Sequence, residues 1–460
     1  MPPPGVPRRA VLALAAGIGV PRAARARTSL ADVALPGADA LLLVLSDLHS
    51  AMERAAAMLG TIDAVLAAHR GVPAFILLNG DVFERGNAIA RRSEAAGDWA
   101  FLAALRRRAP VVLNIGNHET ALVDDLAEVV ARAGKLDLRV VSNLRDRRSG
   151  LPFAEVSAAF RLPGGRRLRV LGLATHEAAT YRPAARALID MPEPVDWARE
   201  RLPRIFAEDE AWVLLSHAGV AADRAILPLL PGGTLLVGGH EHLRFTHAEG
   251  ATRYLHTGSW NRSLSVVGLG LGGALPQIAL REVAVEPGQM EDAAHAALVR
   301  EITAAHLAPE DAEVLFHLPA PLNLPQAARA ACTALARATG SQAGLLGHTG
   351  FGTGLPGGPV RRLDFDAFLR FDGPVFRAAA DLTALASMAP RLNQDESLPL
   401  AGRIGDYAYI DSLPRHPGRL ASNGWVRMNA AHFLGTEALQ FDPVPNLALK
   451  PLVARALAQG

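Results

Sequence analysis

The sequence contains a single cysteine, Cys332, within the stretch AARAACTALARA. A lone cysteine has no partner in the chain, so an intramolecular disulfide and a structural zinc site of the cysteine type are excluded. The surrounding alanines and leucines predict a helix, in which this thiol is expected to be a small buried side chain rather than a reactive group.

Strong charge bias and long apolar segments are also missing. Of the 460 residues 50% are hydrophobic and 20% are charged, and the formal net charge is only +2. This balance is typical of a globular chain of two or more domains and gives no indication of binding to a nucleic-acid polymer. No segment is long and apolar enough to span a membrane, and no P-loop, serine nucleophile elbow or tandem repeat is visible.

The first 26 residues read MPPPGVPRRAVLALAAGIGVPRAARA. Arg8 and Arg9 precede the apolar run 10–20, and an Ala-Arg-Ala triplet follows. This order predicts a secretory signal peptide over residues 1–26, and the paired arginines resemble a twin-arginine export signal. The protein is therefore expected to be exported, to the periplasm or the medium; a frayed helix or an uncleaved anchor is the alternative.

Five short apolar runs stop at residue types that bind metals. The runs, with the polar residues at their ends, are LLLVLSDLH (Asp47, His49), AFILLNGDVFERG (Asp81), VVLNIGNHE (Asn117, His118), AWVLLSHAG (His217) and TLLVGGHEH (His240, His242). Short apolar runs between helix-like stretches, here 52–70 and 95–108, predict buried strands of a layered α/β fold. Ligands bind beyond the carboxyl ends of strands in such sheets, so the polar ends are expected to converge.

The candidate ligands supply four imidazoles, two carboxylates and one amide oxygen. They are Asp47, His49, Asp81, Asn117, His217, His240 and His242. This mixture suits Mn²⁺, Fe²⁺ or Zn²⁺ better than Ca²⁺, which prefers oxygen ligands. Seven ligands are too many for one tetrahedral ion but suit two divalent ions that share a ligand. Such a pair attracts an anionic phosphate and supplies a nucleophile at neutral pH, which predicts hydrolysis of a small phosphorylated substrate.

Each motif alone has a simpler explanation. A lone histidine in LLSHAG is more often a core histidine with satisfied hydrogen bonds, and GGHEH or GNHE alone could be a polar turn. The interpretation as a metal site depends on the conjunction of all five motifs, each at the end of a predicted strand.

The succession D-x-H, GD, GNHE, lone His and GHxH resembles the calcineurin-like metallophosphoesterase superfamily, and the likeness runs from Asp47 to His242. It implies an α/β fold, a layered β-sandwich flanked by helices. The resemblance assigns Asp47, His49 and His242 to one ion, Asn117, His217 and His240 to the other, and Asp81 to the bridge between them. A hydroxide that bridges the ions would attack phosphorus. His118 would lie beside the phosphate, to stabilise the transition state or protonate the leaving group.

Two branches of this superfamily are similar to parts of the chain. GDVFERG is similar to the GDxxDRG motif of protein serine/threonine phosphatases, which implies a phosphate contact for Arg85; a surface salt bridge is the alternative. THEAATYRP (175–183), followed by SHAGVAAD and VGGHEH, is similar instead to bacterial 5′-nucleotidases. The export signal and the long C-terminal extension agree with the second branch.

The C-terminal part resembles the substrate domain of those nucleotidases. Residues 286–307 predict a turn and a linking helix, and the stretches 345–378 and 429–441 carry the likeness. The expected organisation is a metallophosphoesterase domain at 27–285 and an α+β substrate domain at 286–460. The resemblance implies that Phe433 stacks on a nucleobase and that His348 takes a substrate-binding asparagine position. Apart from the resemblance, Phe433 is expected to be an ordinary core residue.

Two family positions are changed in this chain. Gly352 stands where the nucleotidases carry a substrate-binding arginine, so a bidentate anion contact is lost. Ala121 stands where an aspartate orients the catalytic histidine, and Asp124 or Asp125 could substitute from the next turn. The expected function is that of a 5′-nucleotidase-like phosphoesterase. The alternatives are hydrolysis of cyclic or non-nucleotide phosphoesters, and a metal-containing binding protein without turnover.

Overall fold

The computed structural model describes residues 35–206, 210–394 and 397–459. The predicted signal peptide at 1–26 lies outside the described residues. Across these ranges, no helix combines the length and the apolar character that crossing a membrane requires.

The described ranges form 21 β-strands and 14 α-helices. The strands are β1 (Ala40–Leu45), β2 (Ala74–Asn79), β3 (Val111–Asn114), β4 (Arg139–Val141), β5 (Arg145–Asp146), β6 (Ser157–Arg161), β7 (Arg167–Ala174), β8 (Ile189–Asp190), β9 (Glu210–His217), β10 (Leu235–Gly238), β11 (Arg244–Glu249), β12 (Thr252–Thr257), β13 (Ser263–Gly270), β14 (Gln277–Ala284), β15 (Val314–Leu318), β16 (Ala343–Gly347), β17 (Gly358–Arg361), β18 (Pro374–Ala380), β19 (Ala408–Tyr409), β20 (Gly418–Asn423) and β21 (Phe441–Ala448). The helices are α1 (Ala55–Ala68), α2 (Ala88–Arg92), α3 (Ala96–Arg108), α4 (Leu126–Lys135), α5 (Pro183–Arg186), α6 (Pro194–Ile205), α7 (Val220–Ile226), α8 (Ala293–His306), α9 (Leu324–Thr339), α10 (Arg362–Phe368), α11 (Leu382–Met388), α12 (Gly424–Met428), α13 (Ala430–Leu434) and α14 (Leu449–Ala458). The two predicted helices and the five predicted strands are confirmed as α1, α3 and β1, β2, β3, β9 and β10.

Two six-stranded sheets form a sandwich in the first part of the chain. The first has the order β14-β13-β1-β2-β3-β4, and the second has the order β11-β12-β10-β9-β7-β6. The central strands are parallel in both sheets. Strand β1 is buried on both faces, because Leu42 and Val44 pack against Val213 and Leu215 of the facing sheet while its alternate residues pack under α1 and α3. The expected β-sandwich flanked by helices is confirmed.

The second part of the chain is an α+β unit around a five-stranded sheet with the order β19-β16-β20-β18-β21. Helix α9 begins at a capping box formed by Asn323 and Gln326, and it ends at Gly340 in the left-handed conformation. Cys332 is buried on α9, as predicted.

The linking helix α8 packs on the helices that flank the first sheet. The Asp292 carboxylate at its N-terminus lies 2.6 Å from Arg108, and the His295 ring lies 5.8 Å from the Phe101 ring. The boundary between residues 285 and 286 stays a prediction, because it falls in the segment between β14 and this helix.

The second sheet's outer face and the second unit share one apolar cluster. Leu236 and Tyr254 from that sheet belong to the same buried cluster as Phe316, Phe351 and Phe365. The two units therefore bury apolar surface against each other, and they enclose the cavity described below.

Candidate metal centre

The predicted ligands lie at strand ends or a few residues after them, and the structure brings the seven together at one edge of the sandwich. The first group consists of Asp47, His49 and His242, whose ligand atoms all lie within 4.8 Å of one another. Nε2 of His49 lies 2.7 Å from Nε2 of His242 and 4.0 Å from Oδ1 of Asp47. Three donor atoms from two distant loops thus face one point.

A second group consists of Asp81, His217 and His240, with Asn117 beside it. Nε2 of His217 lies 3.2 Å from Oδ2 of Asp81, and Nδ1 of His240 lies 2.9 Å from Oδ1 of Asn117. Asp81 also lies 3.8 Å from Nε2 of His49, which belongs to the first group. The carboxylate of Asp81 is therefore placed between the two groups, where a bridging ligand would have to be.

The residues fit a pair of divalent cations. Nε2 of the fully buried His217 makes no hydrogen bond within the described residues, although it lies near the Asp81 carboxylate. Two imidazole nitrogens only 2.7 Å apart, on His49 and His242, are placed to bind the same cation. Nitrogen and oxygen donors in this ratio suit Mn²⁺, Fe²⁺ or Zn²⁺.

Acceptors on the far side of the rings orient two of the imidazoles. Nδ1 of His217 donates to the carbonyl oxygen of Asn79 at 2.6 Å, and Nε2 of His240 lies 3.7 Å from the Glu177 carboxylate. The His240 imidazole lowers the pKa of Glu177 to about 2. Such partners fix the tautomer and the orientation of a metal-binding histidine.

The buried carboxylate of Glu84 lies close to the rings of two histidines. Its Oε2 lies 3.4 Å from Nδ1 of His49 and 3.6 Å from Nδ1 of His118. Burial alone would raise the pKa of Glu84, but the imidazoles of His118 and His49 outweigh it and bring this pKa down to about 2. Glu84 is therefore an anion in contact with both rings.

The expectation that Asp124 or Asp125 orients His118 is wrong. Asp124 pairs with Arg182 at 2.6 Å, and Asp125 caps α4 and pairs with Arg148, also at 2.6 Å. Glu84 takes the orienting position instead. Glu84 could have been identified from the sequence, because it is the glutamate of the GDVFERG motif, three residues after Asp81.

The loops that carry the ligands are tied together and locally strained. The Glu119 carboxylate accepts hydrogen bonds from the backbone N–H groups of Asp81, Val82 and Gly116, at 3.1, 2.9 and 2.6 Å. Five of the seven ligands have positive φ, and they are Asp47, His49, Asp81, His240 and His242. Non-glycine residues adopt this conformation rarely and at a cost, so its repetition here is a sign of a functional constraint.

A glycine is needed at position 116 because neighbouring side chains lie too close to its Cα to leave room for a Cβ. A Cβ at this position would touch the Asp81 carboxylate and would lie 2.8 Å from Nε2 of His217. The φ of Gly116 is not positive, so backbone conformation is not the reason for this glycine.

A cavity of about 590 Å³ opens next to the ligands, between the two units. The first unit contributes His118, Arg85 and Arg182 to its lining, together with five of the seven predicted ligands: His49, Asp81, Asn117, His240 and His242. The second unit supplies apolar side chains, Phe371, Pro374, Phe376, Trp425 and Met428, together with polar ones that include Asp372, Asp406, Arg427 and His432. Volume and composition are those of a small-molecule site.

The structure places the two predicted substrate residues away from this cavity. Phe433 is 1% exposed and packs in the core of the second unit, so it has no free face for a base, and the stacking expectation is corrected. His348 is buried: its Nε2 lies 2.6 Å from the carbonyl oxygen of Glu241, and its ring stacks on Tyr407 at 3.9 Å. His348 joins the two units and does not line the cavity.

The space beside Gly352 is filled by another arginine. A Cβ at Gly352 would lie 2.5 Å from Nε and 3.0 Å from Nη2 of Arg370. Arg370 does not supply the guanidinium that is missing from position 352, because it is buried and does not line the cavity.

Comparison with known proteins agrees with this geometry. A sequence model of the family described as calcineurin-like phosphoesterase matches residues 40–244. No curated protein sequence matches the chain.

Several solved structures share the fold of nearly the whole chain. A 5′-nucleotidase precursor from Thermus thermophilus is 17% identical, with 91% of this chain and 96% of that chain covered and a TM-score of 0.60. The sulfate thiohydrolase SoxB, also from Thermus thermophilus, is 15% identical, with 93% and 95% covered and a TM-score of 0.66. A 5′-nucleotidase from Candida albicans is 12% identical, with 93% and 99% covered and a TM-score of 0.60. At these identities the likeness shows the fold.

The five motifs, the converging ligands and the family match point to the same class of enzyme. Residues 40–244 thus form a calcineurin-like phosphoesterase domain, which supports a hydrolase that acts on phosphoesters, and the described residues share the two-domain fold of the 5′-nucleotidase structures.

Proposed function

We propose that this protein hydrolyses small phosphoesters at a binuclear metal centre, with the leaving group held in the cavity between the two units. The observation that carries the proposal is the position of Asp81 between two ligand groups at the cavity floor, with His118 beside them. Asp47, His49 and His242 would hold one ion, and Asn117, His217 and His240 the other. The bound ions would polarise the phosphoryl oxygens and activate a water molecule.

His118 is the proposed proton donor to the leaving group. Its Nδ1 faces the Glu84 carboxylate at 3.6 Å, which leaves Nε2 for a substrate in the cavity. In this orientation Nε2 is the ring nitrogen that would pass a proton to the departing oxygen.

Arg85 is the proposed additional contact for the substrate anion. It is exposed and lines the cavity near His118. The other arginine on this side, Arg182, is paired with Asp124. Arg85 forms no ion pair within the described part of the chain, so its guanidinium is available for a phosphate oxygen.

Nucleoside monophosphates are the first candidate substrates, because two of the fold neighbours are named 5′-nucleotidases. A second candidate class is phosphoesters without a nucleobase. Two observations favour this second class: Phe433 is buried, and position 352 carries no guanidinium. A nucleotide would use a stacking ring and an arginine at these positions.

Phosphate release by the Mn²⁺-loaded protein tests the proposal. AMP, a 2′,3′-cyclic nucleotide and a base-free phosphomonoester are compared for the natural sequence, for Asp81→Asn and for Asp442→Asn, a matched control on the exposed face of β21. We expect Asp81→Asn to lose at least one bound ion, because the substitution removes the bridging charge. Its turnover should fall at least a hundredfold. Turnover that survives in Asp81→Asn would overturn the assignment. A base-free ester cleaved as well as AMP would select the second substrate class.

Export by the segment 1–26 is part of the same proposal. Fractionation of cells that express the full chain, compared with a variant in which Arg8 and Arg9 are lysines, tests it. We expect the natural sequence in the periplasm or the medium and the variant retained if the twin-arginine route is used. Retention of both proteins in the cytoplasm would contradict export.

A further inference from the structure

Arg370, in the loop between α10 and β18, is a buried cation close to the metal centre. It is only 3% exposed, and its Nε makes no hydrogen bond within the described residues. Burying a guanidinium without an ion pair costs free energy, so a compensating interaction has to be present. The guanidinium carbon lies 4.0 Å from the ring centre of Trp260, which supplies a cation–π contact.

Trp260 connects this arginine to a predicted metal ligand. The indole belongs to the first unit, between β12 and β13, and is 1% exposed. Its ring centre lies 4.4 Å from that of His49 with an interplanar angle of 31°, and its edge meets the His242 ring at 5.6 Å. The indole is therefore packed between a guanidinium of the second unit and an imidazole of the metal centre.

The same arginine also faces the loop that carries Glu84. A Cβ on Gly86 would lie 3.1 Å from the carbonyl oxygen of Arg370 and 3.3 Å from Oε1 of Glu84, so the two segments are in contact. Glu84 in turn contacts Nδ1 of His49 and of His118.

We propose that Arg370 is a positioning residue of the metal centre, supplied by the second unit. Through the Trp260 ring and the Glu84 carboxylate it fixes the orientation of His49 and His118. The inference rests on the proposed function in that His118 acts on a substrate, but its effect on metal binding does not require turnover.

The test uses the full chain and the variants Arg370→Gln and Arg370→Lys. Arg132→Gln is the matched control, because its guanidinium also lies over an indole, at 4.4 Å from Trp99, but is exposed and remote from the ligands. Two quantities are measured for each protein: the Mn²⁺ affinity by competition with a chelator, and kcat and KM separately. Melting curves establish that each variant is folded.

We expect Arg370→Gln to weaken Mn²⁺ binding and to lower kcat, each about 10-fold to 100-fold, as changes behind metal ligands commonly do, with KM changed less than about threefold. Arg370→Lys should recover part of both losses, because it keeps the charge but not the planar stack. Arg132→Gln should match the natural sequence in both measurements.

The inference is overturned if a folded Arg370→Gln variant keeps both the natural Mn²⁺ affinity and the natural kcat. If Arg370→Gln does not fold, the Arg370→Lys variant is used instead. A Mn²⁺ affinity and a kcat equal to those of the natural sequence would then reject a role for the stack of Arg370 on Trp260. A lower affinity and a lower kcat with an unchanged KM would support it. A natural protein without turnover, whose Mn²⁺ affinity still depends on Arg370, would reject the proposed function and leave this inference standing.

Discussion

At the scale of single residues, carboxylates control the charge of the metal centre. Burial would lower the pKa of His217, but Asp81 outweighs it and raises this pKa to about 10. Burial would likewise lower the pKa of His240, and the Glu177 carboxylate raises it to about 9. Both imidazoles are therefore protonated at neutral pH in the absence of metal, although a metal ligand must be neutral.

Metal loading should accordingly release protons. We expect about two protons per protein near pH 7.5, from His217 and His240, and an Mn²⁺ affinity that falls as the pH is lowered. Calorimetric titration with Mn²⁺ in two buffers of different ionisation enthalpy measures this number. Asp81→Asn serves as the comparison, because the group that raises the pKa of His217 is then gone and fewer protons should be released. Binding enthalpies that do not depend on the buffer would contradict the expectation.

Asp98 is another buried residue whose charge matters. It is 4% exposed, and burial raises its pKa from 3.8 to about 7. The folded protein therefore binds this proton more tightly than the unfolded chain does. Its contribution lowers the free energy of unfolding as the pH rises from about 4 to about 7.

Replacing this carboxyl should remove that pH dependence. We expect Asp98→Asn to be more stable than the natural sequence at pH 8, by up to about 4 kcal/mol if the full shift of the pKa is expressed. Near pH 4 the two proteins should be alike. Denaturant unfolding at both pH values measures the difference, with Asp442→Asn as the control at an exposed site. If Asp98→Asn and the natural sequence were equally stable at pH 8, ionisation of the Asp98 carboxyl would not destabilise the folded protein, which would contradict the expectation.

At the scale of elements, the loops that carry the predicted ligands are packed so closely that the backbone of one loop contacts the ligand side chains of another. Gly116 follows β3 and lies against the Asp81 carboxylate and the His217 ring. The sequence pattern VVLNIGNHE predicted the strand and its polar end correctly. It could not show the reason for the glycine, since the neighbours of Gly116 come from the loop after β2 and from the end of β9.

Gly116→Ala should therefore damage the metal centre although alanine is a better residue for most backbone conformations. The added methyl group must displace Asp81 or His217, so we expect Mn²⁺ affinity and turnover to fall at least tenfold. Gly134→Ala, on α4, is a suitable control because a Cβ there meets open space. Metal content and phosphate release measure the effect. Natural activity in Gly116→Ala would mean that the loops yield more easily than their packing indicates.

At the scale of the whole molecule, the two units are joined by apolar and polar contacts. Leu236, Phe245 and Tyr254 of the second sheet share a buried cluster with Phe351 and Phe365. His348 adds a hydrogen-bonding contact to the carbonyl oxygen of Glu241, between two predicted metal ligands. The second unit therefore supports the ligand loops as well as lining the cavity.

A fragment limited to residues 27–285 should reflect this dependence. It would expose the outer face of the second sheet, so we expect an aggregated or loosely packed product that binds Mn²⁺ at least tenfold more weakly than the whole chain. Gel filtration, thermal melting and Mn²⁺ titration measure these properties. A monomeric fragment with a cooperative transition and the full affinity for Mn²⁺ would show that the first unit is independent.

The sequence by itself determined the fold class, the enzyme class and the candidate ligands. These properties are local: each ligand lies at the end of an apolar strand or a few residues after it, so type, order and spacing are visible along the chain. Only the tertiary structure decided that Glu84 contacts His118, that Phe433 is buried away from the cavity, and that Arg370 is packed behind Trp260. Each of these facts depends on the packing of segments far apart in sequence, and residue type constrains such packing only weakly.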